Sequence, residues 1–279
     1  MGATRALESE RLFYVGEGRQ PASLGPMSTD DPWDFYPCRV NDAPASIALA
    51  MRYQSEARPG ELDTLYVAGV ELEDAGEHGM GTAAEGEVLY GAEEEFTERL
   101  APLGFVPVGR LRNKGEWQVS YFAASGKETE FHGMLALTLA STGRDVWTHI
   151  APDPTWDYYD SFLVPDPERH QWMMDRRVVE SLEESGDSLV APRTVDHAAR
   201  FPSRSSADAF AAAAEALGFT ASDSDEEDSK CLVEVKREDP VSLAHIHGVV
   251  MELVDLAVAH GGDYDGWGCE VQAGEKQTS

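Results

Sequence analysis

The sequence is short of cysteine, of lysine and of long apolar runs, and each shortage removes a class of protein. Its 279 residues hold three cysteines, Cys38, Cys231 and Cys269. They are too few and too scattered for a disulfide framework, and none forms the C-x-x-C pair that zinc uses. They read as reduced, mostly buried thiols. No run of about 18 apolar residues is present, which excludes a membrane-spanning helix. The N-terminus also lacks the basic stretch and apolar block of a secretory signal. The expected location is the cytoplasm. Lysine occurs five times against 17 arginines, and together they face 51 aspartates and glutamates, for a formal charge of −29. A surface of that sign repels phosphates, so nucleic acid and anionic membranes are excluded as direct partners. It favours a basic protein partner, or serves solubility alone.

At 42% hydrophobic, the chain can bury sizeable cores, and its length makes two domains the default. Residues 1–26 show no sustained periodicity and read as a disordered extension, with Met27 a candidate start. From Trp33 the texture changes. WDFYPCRV and PASIALAMRY read as two β segments around an Asn41-Asp42 turn, and TLYVAGVELE (64–73) as a third. Residues 92–104 place Phe96, Leu100 and Leu103 on one helical face and end at Gly104. Residues 205–218 repeat the arrangement with Phe210, Ala213, Ala214 and Leu217, from the cap candidate Ser205 to Gly218. Each helix closes in Leu-Gly-Phe, and the two copies lie 114 residues apart.

The offset persists. Trp117, Val119 and Tyr121 alternate in one strand as Cys231, Val233 and Val235 do in another. Second helices follow at 128–141 and 241–259, the latter expected to open on Asp239 as cap and Pro240 in the first turn. DVWTHIA and GGDYDGWGCEV then supply closing strands. Each half reads β-α-β-β-α-β, so the predicted fold is α+β: two tandem ferredoxin-like sandwiches with antiparallel sheets. Between them, Glu168 to Ser185 reads as a helix with Trp172, Val178, Val179 and Leu182 as its apolar contacts. Pro165 and Pro167 fit a domain junction, giving domains at 27–164 and 165–279.

The second half resembles the RraB family, regulator of ribonuclease activity B. The resemblance rests on the leading helix 168–185, Gly186-Asp187-Ser188, Arg193-Thr194-Val195-Asp196-His197, the Leu217-Gly218-Phe219 helix end, and above all Tyr264-Asp265-Gly266-Trp267-Gly268. It implies a small ferredoxin-like protein, not itself a nuclease, that binds the endoribonuclease RNase E and lowers its activity toward some RNAs. Members carry a strongly acidic tail after the Tyr-Asp-Gly-Trp strand. Here Glu270-Val271-Gln272 runs into AGEKQTS, and the acidity sits instead in Asp223 to Asp228. The first half, from Trp33-Asp34-Phe35-Tyr36-Pro37 through the Trp117 strand to Trp156-Asp157-Tyr158-Tyr159, resembles the 695 family of domains of unknown function. That resemblance implies no activity.

Individual residues support a binding protein more readily than an enzyme. Asp263-Tyr264-Asp265-Gly266 is a fragment of a calcium loop, but the third acidic position and the later glutamate do not line up. The structural reading gives Asp265-Gly266 a turn or bulge, after which Trp267, Cys269 and Val271 face the helices, with Gly268 between them. Another reading places Tyr264 and Asp265 on a partner surface. His197 shares a strand face with Val195, Ala199 and Phe201, which fits a hydrogen-bonded core histidine better than a general base, and no nucleophile motif accompanies it. His245 and His247 are two apart and lack the i,i+4 partner of a zinc helix. The run of Asp223, Ser224, Asp225, Glu226, Glu227 and Asp228 is either a solvated hairpin loop or a docking site for an Arg/Lys-rich segment. Gly76, Gly79 and Gly81 do not follow dinucleotide spacing, and no cofactor or metal is expected. The aromatic residues Trp33, Tyr36, Trp117, Trp147, Trp156, Tyr158 and Tyr159 read as core. If the first domain carries a small-molecule or enzymatic site, they mark where to look.

Overall fold

A computed structural model describes residues 33–222, 225–227 and 230–272. Residues 1–26, read as an extension, lie outside them. Two compact units divide between Met173 and Met174.

The N-terminal unit is one six-stranded antiparallel sheet. Strands β1 (Trp33–Val40) and β2 (Ala43–Ala50) form a hairpin whose turn residues Asn41 and Asp42 both have positive φ, at 48° and 63°. Two successive left-handed residues match the twist of paired strands, and Asn and Asp tolerate that region best after glycine. Then follow β3 (Thr64–Glu71), α1 (Ala83–Leu100), β4 (Val106–Asn113), β5 (Glu116–Ala123), α2 (Glu128–Leu137) and β6 (Val146–Pro152). The sheet order is β1-β2-β4-β5-β3-β6. Without the hairpin, the order β4-β5-β3-β6 with a helix after β3 and another after β5 is the ferredoxin-like split βαβ arrangement. The hairpin extends its β4 edge. Helix α1 begins nine residues before the expected start at 92, capped by the Thr82 side chain, which accepts from Glu85 N.

Both faces of this sheet carry packed segments. On one, Leu89, Phe96 and Leu100 of α1 and Phe131 and Leu135 of α2 pack on Tyr66, Trp117, Val119 and Tyr121. On the other lies the segment after β6. Trp156 stacks on Phe122 at 4.1 Å and donates its indole N–H to Leu62 O, and Tyr159 OH donates to Ala50 O. Tyr36 OH donates in turn to Leu163 O. The 3₁₀ and π-helical irregularities of this half, including the π turn Tyr159–Leu163, leave no trace in the sequence pattern.

Helix α3 (Pro167–Glu184) contains the division between units. The C-terminal unit continues with β7 (Arg193–Phe201), α4 (Arg204–Ala216), the short edge strands β8 (Thr220–Ala221) and β9 (Asp225–Glu227), then β10 (Lys230–Asp239), α5 (Leu243–Ala259) and β11 (Asp263–Cys269). The order β11-β7-β10-β8 is again ferredoxin-like, with β9 pairing farther along β10. Val195, His197, Ala199 and Phe201 alternate inward, and Val233, Val235 and Trp267 join them against Val179, Leu182, Phe210, Ile246, Val250 and Leu253. All three helices of this unit therefore share one core with the inner face of the sheet.

Four local expectations are corrected. The cap of α4 is Ser203, whose Oγ accepts from Ser206 N, not Ser205, and Leu217 is exposed beyond the helix end. Asp239 does not cap α5. It ends β10, and the N-cap position is Ser242. The run from Asp223 to Asp228 is not all loop: the Asp225–Glu227 backbone pairs with Lys230–Leu232, and Asp223 and Asp228 lie outside the described residues.

Candidate partner interface

The Tyr-Asp-Gly-Trp strand is built around a bulge. Tyr264 pairs with Ala199 and Gly266 with Ala198, so Asp265 is the extra residue. Gly266 has φ of 138°, a conformation that side chains with a Cβ rarely adopt. Beyond the bulge the inward alternation resumes, and Trp267 and Cys269 are buried. The Trp267 indole N–H donates to Asp175 Oδ1 at 3.0 Å, and the other Asp175 oxygen meets His247 Nδ1 at 2.8 Å. A carboxylate on α3 thus ties β11 to α5.

Tyr264 turns inward. Its hydroxyl lies 2.8 Å from His197 Nδ1, while the backbone remains on the edge strand. His197 is 1% exposed. Burial disfavours its cation and the positive charge of Arg237 adds to the effect, outweighing Asp239, so its pKa is held down to about 3. It is therefore held neutral at physiological pH. His245 likewise has a local role, with Nε2 2.9 Å from Asp239 Oδ1.

Asp187 and Arg193 form a second buried anchor. Arg193 grips both Asp187 oxygens, and the Leu189 and Gln272 amides donate to the same carboxylate at 2.8 and 2.6 Å. Burial alone would raise the pKa of Asp187, but these donors outweigh it and hold the group down to about 2. The bond to Gln272 fixes the chain leaving β11.

With one face packed on helices, the opposite face of the β11-β7-β10 sheet carries the polar residues. Register places Thr194, Asp196, Ala198 and Arg200 opposite Glu238, Lys236, Glu234 and Leu232. Among the described residues of this face, Asp196, Glu234, Glu238, Asp263, Asp265 and Glu270 are met by Lys236 and Arg200, and Arg200 is engaged by Asp265 at 3.1 Å. Asp196, Lys236, Glu238, Gly268 and Glu270 line a shallow cavity of about 440 Å³. Of the predicted partner residues, Asp265 is on this face and exposed, Tyr264 is not, and the described β9 segment pairs along the far edge of β10. Among the described residues no three His, Cys, Asp or Glu side chains converge as a metal site would require.

Residues 172–269 match the RraB family, Regulator of ribonuclease activity B. Residues 31–164 match the 695 family, whose function is unknown. The RraB-like match ends at Cys269, the last residue of β11, and the 695-type match ends at Val164, after the segment that closes the second sheet face. No curated protein matches the sequence. One similar solved structure is the crystal structure of a proposed glycine cleavage system transcriptional repressor. It is 9% identical, covering 74% of this chain and 96% of that one with a TM-score of 0.23. The fold assignment rests on the strand order alone.

The quoted RraB-like residues prove to be mostly architectural: Asp187 with Arg193, His197 with Tyr264, the Gly266 bulge and the Trp267 anchor. Sequence reading did not find the Asp175–His247 pair, because its members lie 72 residues apart and meet only through α3 and α5 packing. No described helix is long and apolar enough to cross a membrane.

Proposed function

We propose that the chain is a non-catalytic, cytoplasmic regulator that binds an RNase E type endoribonuclease by protein-protein contact and lowers its activity, through its RraB-like residues 165–279. The observation that carries this reading, beside the family match, is the acidic outer sheet face of the C-terminal unit. A face rich in carboxylates repels RNA and attracts an Arg/Lys-rich protein segment. The titratable groups inside the unit are engaged in structural pairs: His197 is neutral and bound to Tyr264, and Asp187 is bound to Arg193. The acidic run Asp223 to Asp228, of which the Asp225–Glu227 backbone pairs with β10, would add to the attracting charge.

The test is co-purification of the full chain with an RNase E type nuclease from native lysate at about 50 and about 300 mM salt. Screening shortens with ionic strength, from about 10 Å at 0.1 M to about 3 Å at 1 M, so electrostatic docking weakens as salt rises. Recovery that falls with salt and with neutralised acidic residues supports the reading. Recovery insensitive to both keeps a regulator and discards the acidic surface, and no nuclease in any sample refutes the reading.

A further inference from the structure

The hairpin that extends the N-terminal sheet leaves part of one face beside α1 rather than beneath it. Residues Ser46 and Ala48 of β2 pair with Arg112 and Arg110 of β4, so all four share that face. Together with Phe35 on β1 and with Gly86 and Tyr90 on α1, they line a cavity of about 590 Å³. That volume is in the range that holds small organic ligands. Small side chains form its floor, and aromatic rings stand at its sides.

The two arginines differ. Arg110 is 3% exposed and forms a two-point pair with Glu93, 2.7 Å at each contact, and Glu93 also accepts the Trp117 indole N–H at 2.7 Å. Its charge is compensated. Its guanidinium carbon lies 4.6 Å from the Tyr90 ring centre, which holds that ring edge-on to Trp117. Arg112 has its guanidinium carbon 5.5 Å from the Trp117 ring, and no described carboxylate lies within ion-pair distance. It is half-buried, and among the described residues its donors meet neither an acid nor a backbone carbonyl. In a chain with 51 acidic residues, a preorganised guanidinium left without a carboxylate is a vacant position for one. Glu87, exposed at the rim, argues against a polyanion and for a ligand of single charge.

We propose that this groove binds a small organic monocarboxylate with a flat apolar body, the carboxylate on Arg112 and the body against Tyr90 and Phe35. The buried Glu93–Arg110 pair is a positioning element that fixes Tyr90 and Trp117. Every residue of this groove belongs to the N-terminal unit, so the proposal does not rest on the proposed nuclease-binding face of the C-terminal unit.

The test is saturation-transfer NMR on the full chain at about 150 mM salt, with phenylacetate as probe and phenethylamine and 2-phenylethanol as its cationic and neutral counterparts. The expected result is saturable phenylacetate binding, at least tenfold weaker in Arg112→Gln, partly retained in Arg112→Lys, and weaker for both counterparts. Circular dichroism verifies that the variants fold. Absence of saturable phenylacetate binding, unchanged affinity in Arg112→Gln, or equal binding of phenethylamine would overturn the proposal.

Discussion

The stability of the C-terminal unit is expected to fall in mild acid because of His197. Its folded pKa is about 3, against about 6.5 for a histidine in an unfolded chain. Between those values the unfolded state binds the proton and the folded state does not, so acid favours unfolding. The full stabilisation is present above about pH 6.5 and is lost as pH falls toward 3. The slope is about 1.4 kcal/mol per pH unit, and from pH 7 to pH 5 the linkage amounts to about 2 kcal/mol. For a domain of ordinary stability, 5 to 15 kcal/mol, that is a measurable fraction. The Asp187 contribution lies lower, between about pH 4 and 2, and does not overlap this range. The assay is urea unfolding at pH 7 and pH 5 for the natural sequence and for His197→Phe, which keeps the ring bulk and removes the titration. The variant is less stable at pH 7, because Tyr264 OH loses its partner, but between the two pH values it should lose about 2 kcal/mol less than the natural sequence. Tyr264→Phe should retain the natural slope, because burial of the imidazole persists. Equal slopes for the natural sequence and His197→Phe would refute the reasoning.

Three further outcomes follow from the same geometry. Trp267→Ala removes a buried indole and should cost about 3–5 kcal/mol in thermal or urea unfolding, whereas Trp267→Phe, which loses chiefly the bond to Asp175, should cost about 1–2 kcal/mol. Arg193→Met leaves the Asp187 carboxylate buried without its cation and should cost about 3–5 kcal/mol, a loss reduced below pH 4 as Asp187 becomes protonated. Glu234→Gln with Glu238→Gln should leave the unfolding midpoint nearly unchanged, because both side chains are exposed, while weakening capture of a basic partner several-fold at low salt and hardly at all at high salt.

The sequence disclosed what depends on local pattern. Strands β5 and β10 are legible because large apolar residues alternate on the face that meets the helices, Trp117, Val119 and Tyr121 in one and Cys231, Val233 and Val235 in the other, and the 114-residue offset aligns them. The bulge at Asp265-Gly266 and the inward Trp267 follow from one glycine and one alternation. The start of α1 is hidden because its first turns carry Glu85, Gly86 and Gly91, and its buried Glu93 interrupts the apolar stripe. That glutamate is explicable only by Arg110 and Trp117, which reach it from β4 and β5. Pairing of β2 with β4 joins residues 60 to 68 apart and has no local signature. Asp239 reads as a helix cap because an aspartate before a proline is a common helix start, whereas in the structure Arg237 and His245 take its oxygens. The ligand groove had one trace: Arg110 and Arg112 alternate on a single strand of an otherwise acidic chain.

The most direct test of the central claim is the rate at which an RNase E type endoribonuclease, complete with its scaffold region, cleaves an RNA substrate in the presence of increasing full-length protein. The account predicts a saturable fall in rate, without cleavage by the protein alone, that shifts to several-fold higher concentration for Glu234→Gln with Glu238→Gln. An unchanged rate at all concentrations, under conditions where the chain is folded, would contradict it.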